Sequence, residues 1–178
     1  DIKMILSVDR LDYTKGILNR LLGFELFLEN NQIWHKKVVM HLICVPSRVG
    51  VQRYQKTKSR IDELVGKING KFGDIEWTPI QYQYKYLPFK QLSVLYSACD
   101  IALVTPLRDG MNLIAKEYIA SRLDQTGVLI LSEMAGAAKE LQEAIIINPN
   151  SIEEIASAIK DALDMPVELQ LGKNEIMQ

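Results

Sequence analysis

Short apolar runs rich in β-branched residues alternate with segments of helical periodicity along this whole chain, and that alternation leaves few ways to fold it. Residues 3–8 read as a strand, and residues 15–30 as a helix with Ile17, Leu21, Phe24 and Leu28 on one stripe. Residues 38–45 read as a second strand. A long charged helix is expected over 51–68, with Ile61, Leu64, Val65 and Ile68 facing inward, closed by Asn69-Gly-Lys-Phe-Gly73. Residues 77–83 form a third strand, and Pro88 suits the first turn of the helix after it. A fourth strand over 101–105 leads through Gly110 into another helix. Residues 128–131 and 144–147 read as two further strands, with a helix near 135–141 between them. Ser151-Ile-Glu-Glu154 reads as a capping box opening a last helix to about residue 163. Strands separated by helices in this way imply an α/β fold: a doubly wound parallel sheet of about six strands with helices on both faces.

At 178 residues the chain is one domain by length, large enough for a sizeable core. A formal charge of −1 argues against nucleic acid or an anionic membrane surface as partner. No apolar stretch approaches the roughly 20 residues that a membrane-spanning helix needs. Cys44 and Cys99 lie inside apolar strand-like runs and read as reduced core residues, so a cytoplasmic location is the default expectation. Asp1 leads directly into the first strand, as in a domain cut from a longer polypeptide. Residues 1–165 are expected to form the domain. Residues 166–178, polar and apolar by turns, are expected to be a truncated tail starting a helix that packs on a part of the protein outside this chain.

In sheets of this kind ligands bind beyond the carboxyl ends of the strands. The polar residues there are Asp9, Arg10, Asp12 and Lys15 after the first strand, Ser47 and Arg48 after the second, and Arg108, Asp109 and Asn112 after the fourth. The segment Thr105-Pro-Leu-Arg-Asp-Gly-Met-Asn-Leu-Ile-Ala-Lys-Glu117 joins a strand, a turn with glycine and a helix N-terminus, which together turn backbone N–H groups toward an anion. With that helix running from about Met111, Asp109 and Glu117 would stand about 12 Å apart along the axis, enough to place a carboxylate on each side of a diphosphate. Arg10 and Lys15 flank one loop and can converge on a phosphate, Arg as a planar fork and Lys as a point charge. No G-x-G-x-x-G follows the first strand and no P-loop occurs, so side-chain cations and a helix N-terminus would stand in for a glycine cradle.

Each of these residues also has a plainer reading. Arg10 and Lys15 are ordinary as solvated loop charges, Asp109 as a helix cap, and Glu117 as part of an exposed face with Lys116. Glu117, however, sits between Ala115 and Tyr118 on a helix expected to pack on the sheet, where a carboxylate wants a partner such as a ribose diol. Taken together the cluster outweighs its members. His35 and His41 are six residues apart across a turn and make a poor metal pair, no D-x-D motif is present, and neither Ser47 nor Ser132 has a histidine placed to act as its base.

Val8-Asp-Arg-Leu-Asp-Tyr-Thr-Lys-Gly16, Asn69-Gly-Lys-Phe-Gly73 with Trp77-Thr-Pro79, Val104-Thr-Pro-Leu-Arg-Asp-Gly-Met-Asn-Leu113, Ala115-Lys-Glu-Tyr118 and Ala135-Gly-Ala-Ala138 resemble the trehalose-6-phosphate synthase family, in order and spacing, over residues 3 to about 165. The resemblance implies the C-terminal, donor-binding domain of a retaining glycosyltransferase built from two Rossmann-like domains facing across a cleft. It implies transfer of glucose from UDP-glucose to glucose 6-phosphate, giving trehalose 6-phosphate, with the acceptor held largely by the missing N-terminal domain; this segment alone would make no product.

Carried onto matching positions, Arg10 and Lys15 would hold the diphosphate and stabilise the charge that grows on it, forming the catalytic set with Asp109. Asp109 would hydrogen-bond the donor glucose beside the backbone of Gly110 and Met111. Asn112 and Leu113 would offer backbone N–H groups to the phosphates, Glu117 would take the ribose hydroxyls, and Leu92 would lie near the uracil. Arg48 would reach the acceptor's phosphate. The resemblance implies no metal ion and no cofactor; UDP-glucose or UDP and glucose 6-phosphate are the expected partners, and oligomerisation is left open. Two other readings stand beside it. One is a catalytically silent regulatory or scaffold domain, against which Arg10, Lys15, Asp109 and Glu117 are all retained. The other is a retaining transferase of the glycogen- or sucrose-phosphate-synthase type, whose members usually carry glutamate where Asp109 stands.

Overall fold

The computed structural model describes residues 1–47 and 52–178. Six strands, β1 (Lys3–Arg10), β2 (Val38–Val45), β3 (Ile80–Tyr84), β4 (Ile101–Val104), β5 (Val128–Ser132) and β6 (Ile145–Ile147), form one sheet in the order β3-β2-β1-β4-β5-β6. Every pairing is parallel. Helices α1 (Ile17–Asn30), α2 (Gln52–Phe72), α3 (Phe89–Ala98), α4 (Leu113–Ser121), α5 (Ile152–Asp164) and α6 (Val167–Met177) complete the chain. The fold is the doubly wound, Rossmann-like α/β architecture expected from the alternation.

Side chains alternate across each strand and so feed two cores. Ile5, Ile101 and Leu103 pack with Leu21, Phe24, Ile61 and Ile159 beneath α1, α2 and α5. Leu6, Val8, Ala102 and Val104 pack with Tyr96, Ala115, Tyr118 and Leu141 on the opposite face, beneath α3 and α4. By the same alternation Ser7, Asp9 and Thr105 fall on the α1 side, and all three are buried. The chain winds one way from β1 to β2 and β3, and the other way through β4 to β6. The connections leaving β1 and β4 therefore run to helices on opposite faces of the sheet, which places the switch point, and its crevice, at the carboxyl ends of these two strands.

Several elements differ from their sequence expectations, each for a local reason. The helix expected over 135–141 is only a short 3-10 turn, Gly136–Lys139, and the N–H groups at its start are held by the neighbouring loop: Gly136 donates to the Asp109 carbonyl (3.0 Å) and Ala137 to that of Met111 (2.9 Å). The same bonds hold residues 109–111 extended, so α4 begins at Leu113 and not near Met111. Helix α2 runs through Asn69 and Gly70 to Phe72, since the Asn69 amide is engaged by the Ile80 backbone and breaks nothing. Trp77 lies in a turn closed by Asp74, its indole donating to the Val38 carbonyl, so β3 starts at Ile80. Ser151 caps α5 by accepting from the Glu154 N–H, but the Glu154 carboxylate accepts from the Asn148 N–H instead of completing a reciprocal box.

The tail is helical. Asn174, wholly buried, donates to the carbonyls of Gln125 and Gly127, and Gln170 accepts from the Gly127 N–H, seating α6 on this domain beside β5. Val167, Leu169, Leu171 and Ile176 are left on its exposed side. Among the described residues, no helix is long and apolar enough to cross a membrane.

Candidate active site

The loop leaving β1 is shaped by one aspartate and one glycine. Asp12 accepts from the Thr14 N–H and hydroxyl, turning Tyr13–Lys15 into a single 3-10 turn. Gly16 follows with φ +70°, and a Cβ there would stand 2.2 Å from the Thr105 carbonyl oxygen, so the β1 loop lies directly on the β4 loop. Leu107 and Arg108 both donate their N–H groups to the Thr14 carbonyl, at 2.7 and 3.3 Å. The two loops at the switch point are thus one unit.

That unit brings Lys15 to Asp109. The ammonium lies 2.8 Å from Asp109 Oδ2, with the two side chains 17% and 16% exposed. Asp109 also accepts from the Asn112 side-chain amide (3.1 Å) and the Met111 N–H (3.4 Å). Burial works against ionisation of its carboxyl, but the Lys15 hydrogen bond and charge, with the Met111 and Asn112 donors, outweigh it and hold the group below the usual carboxylate range. Asp109 is not the helix cap. That role belongs to Asn112, buried at φ 90°, whose side-chain oxygen accepts from the Ala115 N–H at 3.0 Å. The N–H groups of Leu113 and Ile114, at the first two helical positions, have no acceptor within the helix and stay available to an anion.

Asp9, Arg10, Lys15, Asp109, Met111, Asn112, Leu113 and Ile114 together line a cleft of about 320 Å³ at this point. Arg10 is exposed at its rim, on the last residue of β1. Gly110 is exposed, and a Cβ there would meet nothing within 4 Å. Glu117 lies on α4 and accepts from the Tyr96 hydroxyl at 2.9 Å, a partner that the sequence reading missed. Burial and this bond both push the Tyr96 phenol up. Because residues 109–112 are not helical, the 12 Å axial spacing reckoned from Asp109 to Glu117 on a continuous helix does not apply. Leu92 is half-buried on α3 against the second core and does not itself line the cleft. Arg48 lies outside the described residues. Among the described residues no group of three or more His, Cys, Asp or Glu side chains could hold a metal ion.

Arg20 went unremarked in the sequence. It sits in the first turn of α1, fully buried, with its guanidinium 2.6 Å from Asp9 Oδ2. Burial pushes the Asp9 carboxyl above its usual range, and the Arg20 charge pulls the other way. The available signal was a cation three residues beyond Ile17 and four before Phe24, hence on the apolar stripe itself.

Residues 1–177 match the family model described as Glycosyltransferase family 20. The chain belongs to that family. The bifunctional trehalose-6-phosphate synthase/phosphatase of Thermoproteus tenax is 51% identical over 176 residues, covering 99% of this chain and 24% of the relative. Among solved structures, the UDP-forming alpha,alpha-trehalose-phosphate synthase from Burkholderia xenovorans in complex with glucose-6-phosphate superposes with a TM-score of 0.97 at 42% identity, covering 99% of this chain and 39% of that one. The E. coli structure bound with UDP-2-fluoro glucose gives the same TM-score of 0.97 and 42% identity, again covering 99% of this chain and 39% of that one. The chain therefore spans about a quarter to two fifths of the length of these family 20 relatives.

Proposed function

We propose that this chain is the donor-binding half of a UDP-forming trehalose-6-phosphate synthase, taking UDP-glucose and delivering its glucose to glucose 6-phosphate held with the N-terminal half. One observation carries the reading: a lysine ammonium, an arginine and two free helix N–H groups converge with Asp109 on a single cleft at the β1–β4 switch point. Arg10, Lys15 and the N–H groups at the start of α4, those of Leu113 and Ile114 with that of Asn112 beside them, bind the diphosphate. As the glycosidic bond breaks, negative charge grows on the β-phosphate, and the two cations stabilise it more than they stabilise the ground state, which is what accelerates the step. Asp109, beside the Gly110 and Met111 backbone, takes glucose hydroxyls; Glu117, oriented by Tyr96, takes the ribose diol; Leu92 approaches the uracil.

Retention follows from a front-face displacement in which the departing phosphate accepts the acceptor's proton. Among the described residues Asp9 and Asp109 are the carboxylates that line the cleft, and each is engaged by a cation, which disfavours either as a nucleophile. A trapped covalent glycosyl–enzyme would disprove this route. With both cysteines free and buried, a reducing cytoplasmic setting suits the chain.

The proposal is tested by calorimetry of UDP binding to the chain and to its Arg10→Ala and Lys15→Ala variants. Loss of one charge-assisted contact costs about 1.5–3 kcal/mol, roughly 10- to 150-fold in Kd. Unchanged binding in both variants removes the phosphate role.

A further inference from the structure

Arg20 stands first among the large, fully buried side chains, and its guanidinium bridges β1, the end of β4 and the loop that carries Lys15. Nη1 meets Asp9 Oδ2 and donates to the Ser7 hydroxyl, both at 2.6 Å on β1. Nε donates to the Thr105 hydroxyl at 2.9 Å, where β4 ends. Nη2 donates to the Lys15 carbonyl at 3.0 Å. Asp9 forms part of the cleft wall with Arg10, Lys15 and Asp109, so two carboxylates and the Lys15 ammonium share one cleft, and the Lys15 charge is felt at Asp9. Lys15 nevertheless bonds Asp109 alone, and the group that occupies Asp9 is Arg20.

We infer that Arg20 is a positioning residue of the anion site: by pairing with Asp9 and holding the Lys15 main chain, it directs the Lys15 ammonium toward Asp109 and the diphosphate that the cleft receives. It touches no substrate itself. The identity of that anion rests on the donor reading above; the direction of Lys15 does not. A guanidinium fork is needed because its three nitrogens serve β1, β4 and the Lys15 carbonyl at once, which an ammonium on a single stem cannot do.

The test uses this chain, with Arg20→Met, Arg20→Lys and the double variant Asp9→Asn/Arg20→Met, and two readouts. The first is the pH titration of the Asp109 carboxyl followed by carbon NMR. In Arg20→Met the unpaired Asp9 draws Lys15 away and the Asp109 titration moves upward; in the double variant, with no competing carboxylate, it moves less. The second is affinity for UDP against affinity for uridine. Arg20→Met and Arg20→Lys are expected to weaken UDP about tenfold, equal to about 1.4 kcal/mol, while uridine binding holds. A residue that merely supports the fold would weaken both ligands alike, be rescued by Arg20→Lys and leave the Asp109 titration in place; that result overturns the inference. If Arg20→Met does not fold, Arg20→Lys, which leaves no lone carboxylate buried, carries the same UDP-to-uridine comparison. Should the unmutated chain bind neither UDP nor uridine, the donor reading falls, and the Asp109 titration still decides the role of Arg20.

Discussion

Gly136 and Gly110 face each other across the bond between the β5 and β4 loops, yet their replacement by alanine should have opposite results. A Cβ on Gly136 would stand 2.0 Å from the Gly110 carbonyl oxygen and 2.8 Å from its carbon, both backbone atoms that cannot turn aside. To restore ordinary contact at 3.4 Å from 2.0 Å, residues 109–111 must retreat by about 1.4 Å. Such a shift takes the Gly136-to-Asp109 and Ala137-to-Met111 hydrogen bonds, now 3.0 and 2.9 Å, out of range. Two lost bonds at about 1 kcal/mol each, with about 1–3 kcal/mol for overpacking, give a loss of about 3–5 kcal/mol. For a chain of this length that is a fall in Tm of about 6–20 °C. The same retreat pulls Asp109 from Lys15, so UDP-glucose affinity, read by calorimetry, should fall further than UDP affinity. Gly110→Ala meets nothing within 4 Å and should stay within about 0.5 kcal/mol of the parent. Gly136→Ala melting within about 2 °C of the parent would refute the claim that the two loops are locked together.

Two further outcomes follow. The Asp109 carboxyl is held below its unfolded-state value, so its pairing with Lys15 stabilises the fold fully above that unfolded value, about pH 3.9, and the stabilisation is lost as pH falls through the lower folded-state value. Lys15→Met should flatten this part of the acid limb in denaturation measured from about pH 5 downward, and an acid limb identical to the parent's would show that the pair contributes nothing. Burial pushes the Cys44 and Cys99 thiols up to about 12, so neither should react with an alkylating reagent at pH 8 until the chain unfolds; rapid alkylation of the folded chain contradicts their burial.

Strand positions were legible because β1, β2, β4 and β5 are apolar runs bounded by turn residues, and their parallel order follows from the helices between them. Lys15 and Asp109 could be placed on neighbouring loops by the rule that sites lie at strand ends, although they are 94 residues apart. Arg20 escaped notice because a charge in an amphipathic helix reads as solvated; only Ser7, Asp9 and Thr105, aligned on one face by strand alternation, make its burial affordable. That Asn112 and not Asp109 would cap α4 was hidden for a related reason. Which of two neighbouring polar residues enters αL geometry depends on the pairing of 109–111 with the β5 loop, a contact with no local signature. Tyr96, as partner of Glu117, lies on another helix and was equally invisible.

The sheet order has a consequence for how this molecule comes together. β1 pairs with β2 nearby in sequence but also with β4, whose Ile101 lies opposite Ile5. The β1–β2–β3 half can assemble from neighbouring segments, whereas its union with β4–β5–β6 requires closing a loop of nearly a hundred residues, the slow kind of contact in folding. Arg10, Lys15 and Arg20 belong to the first half and Thr105, Asp109 and Asn112 to the second, so the cleft does not exist until the halves have joined. A nucleotide bound across that seam would act as a staple, and its binding energy would be felt as resistance to separation of the two halves rather than as local tightening of a loop.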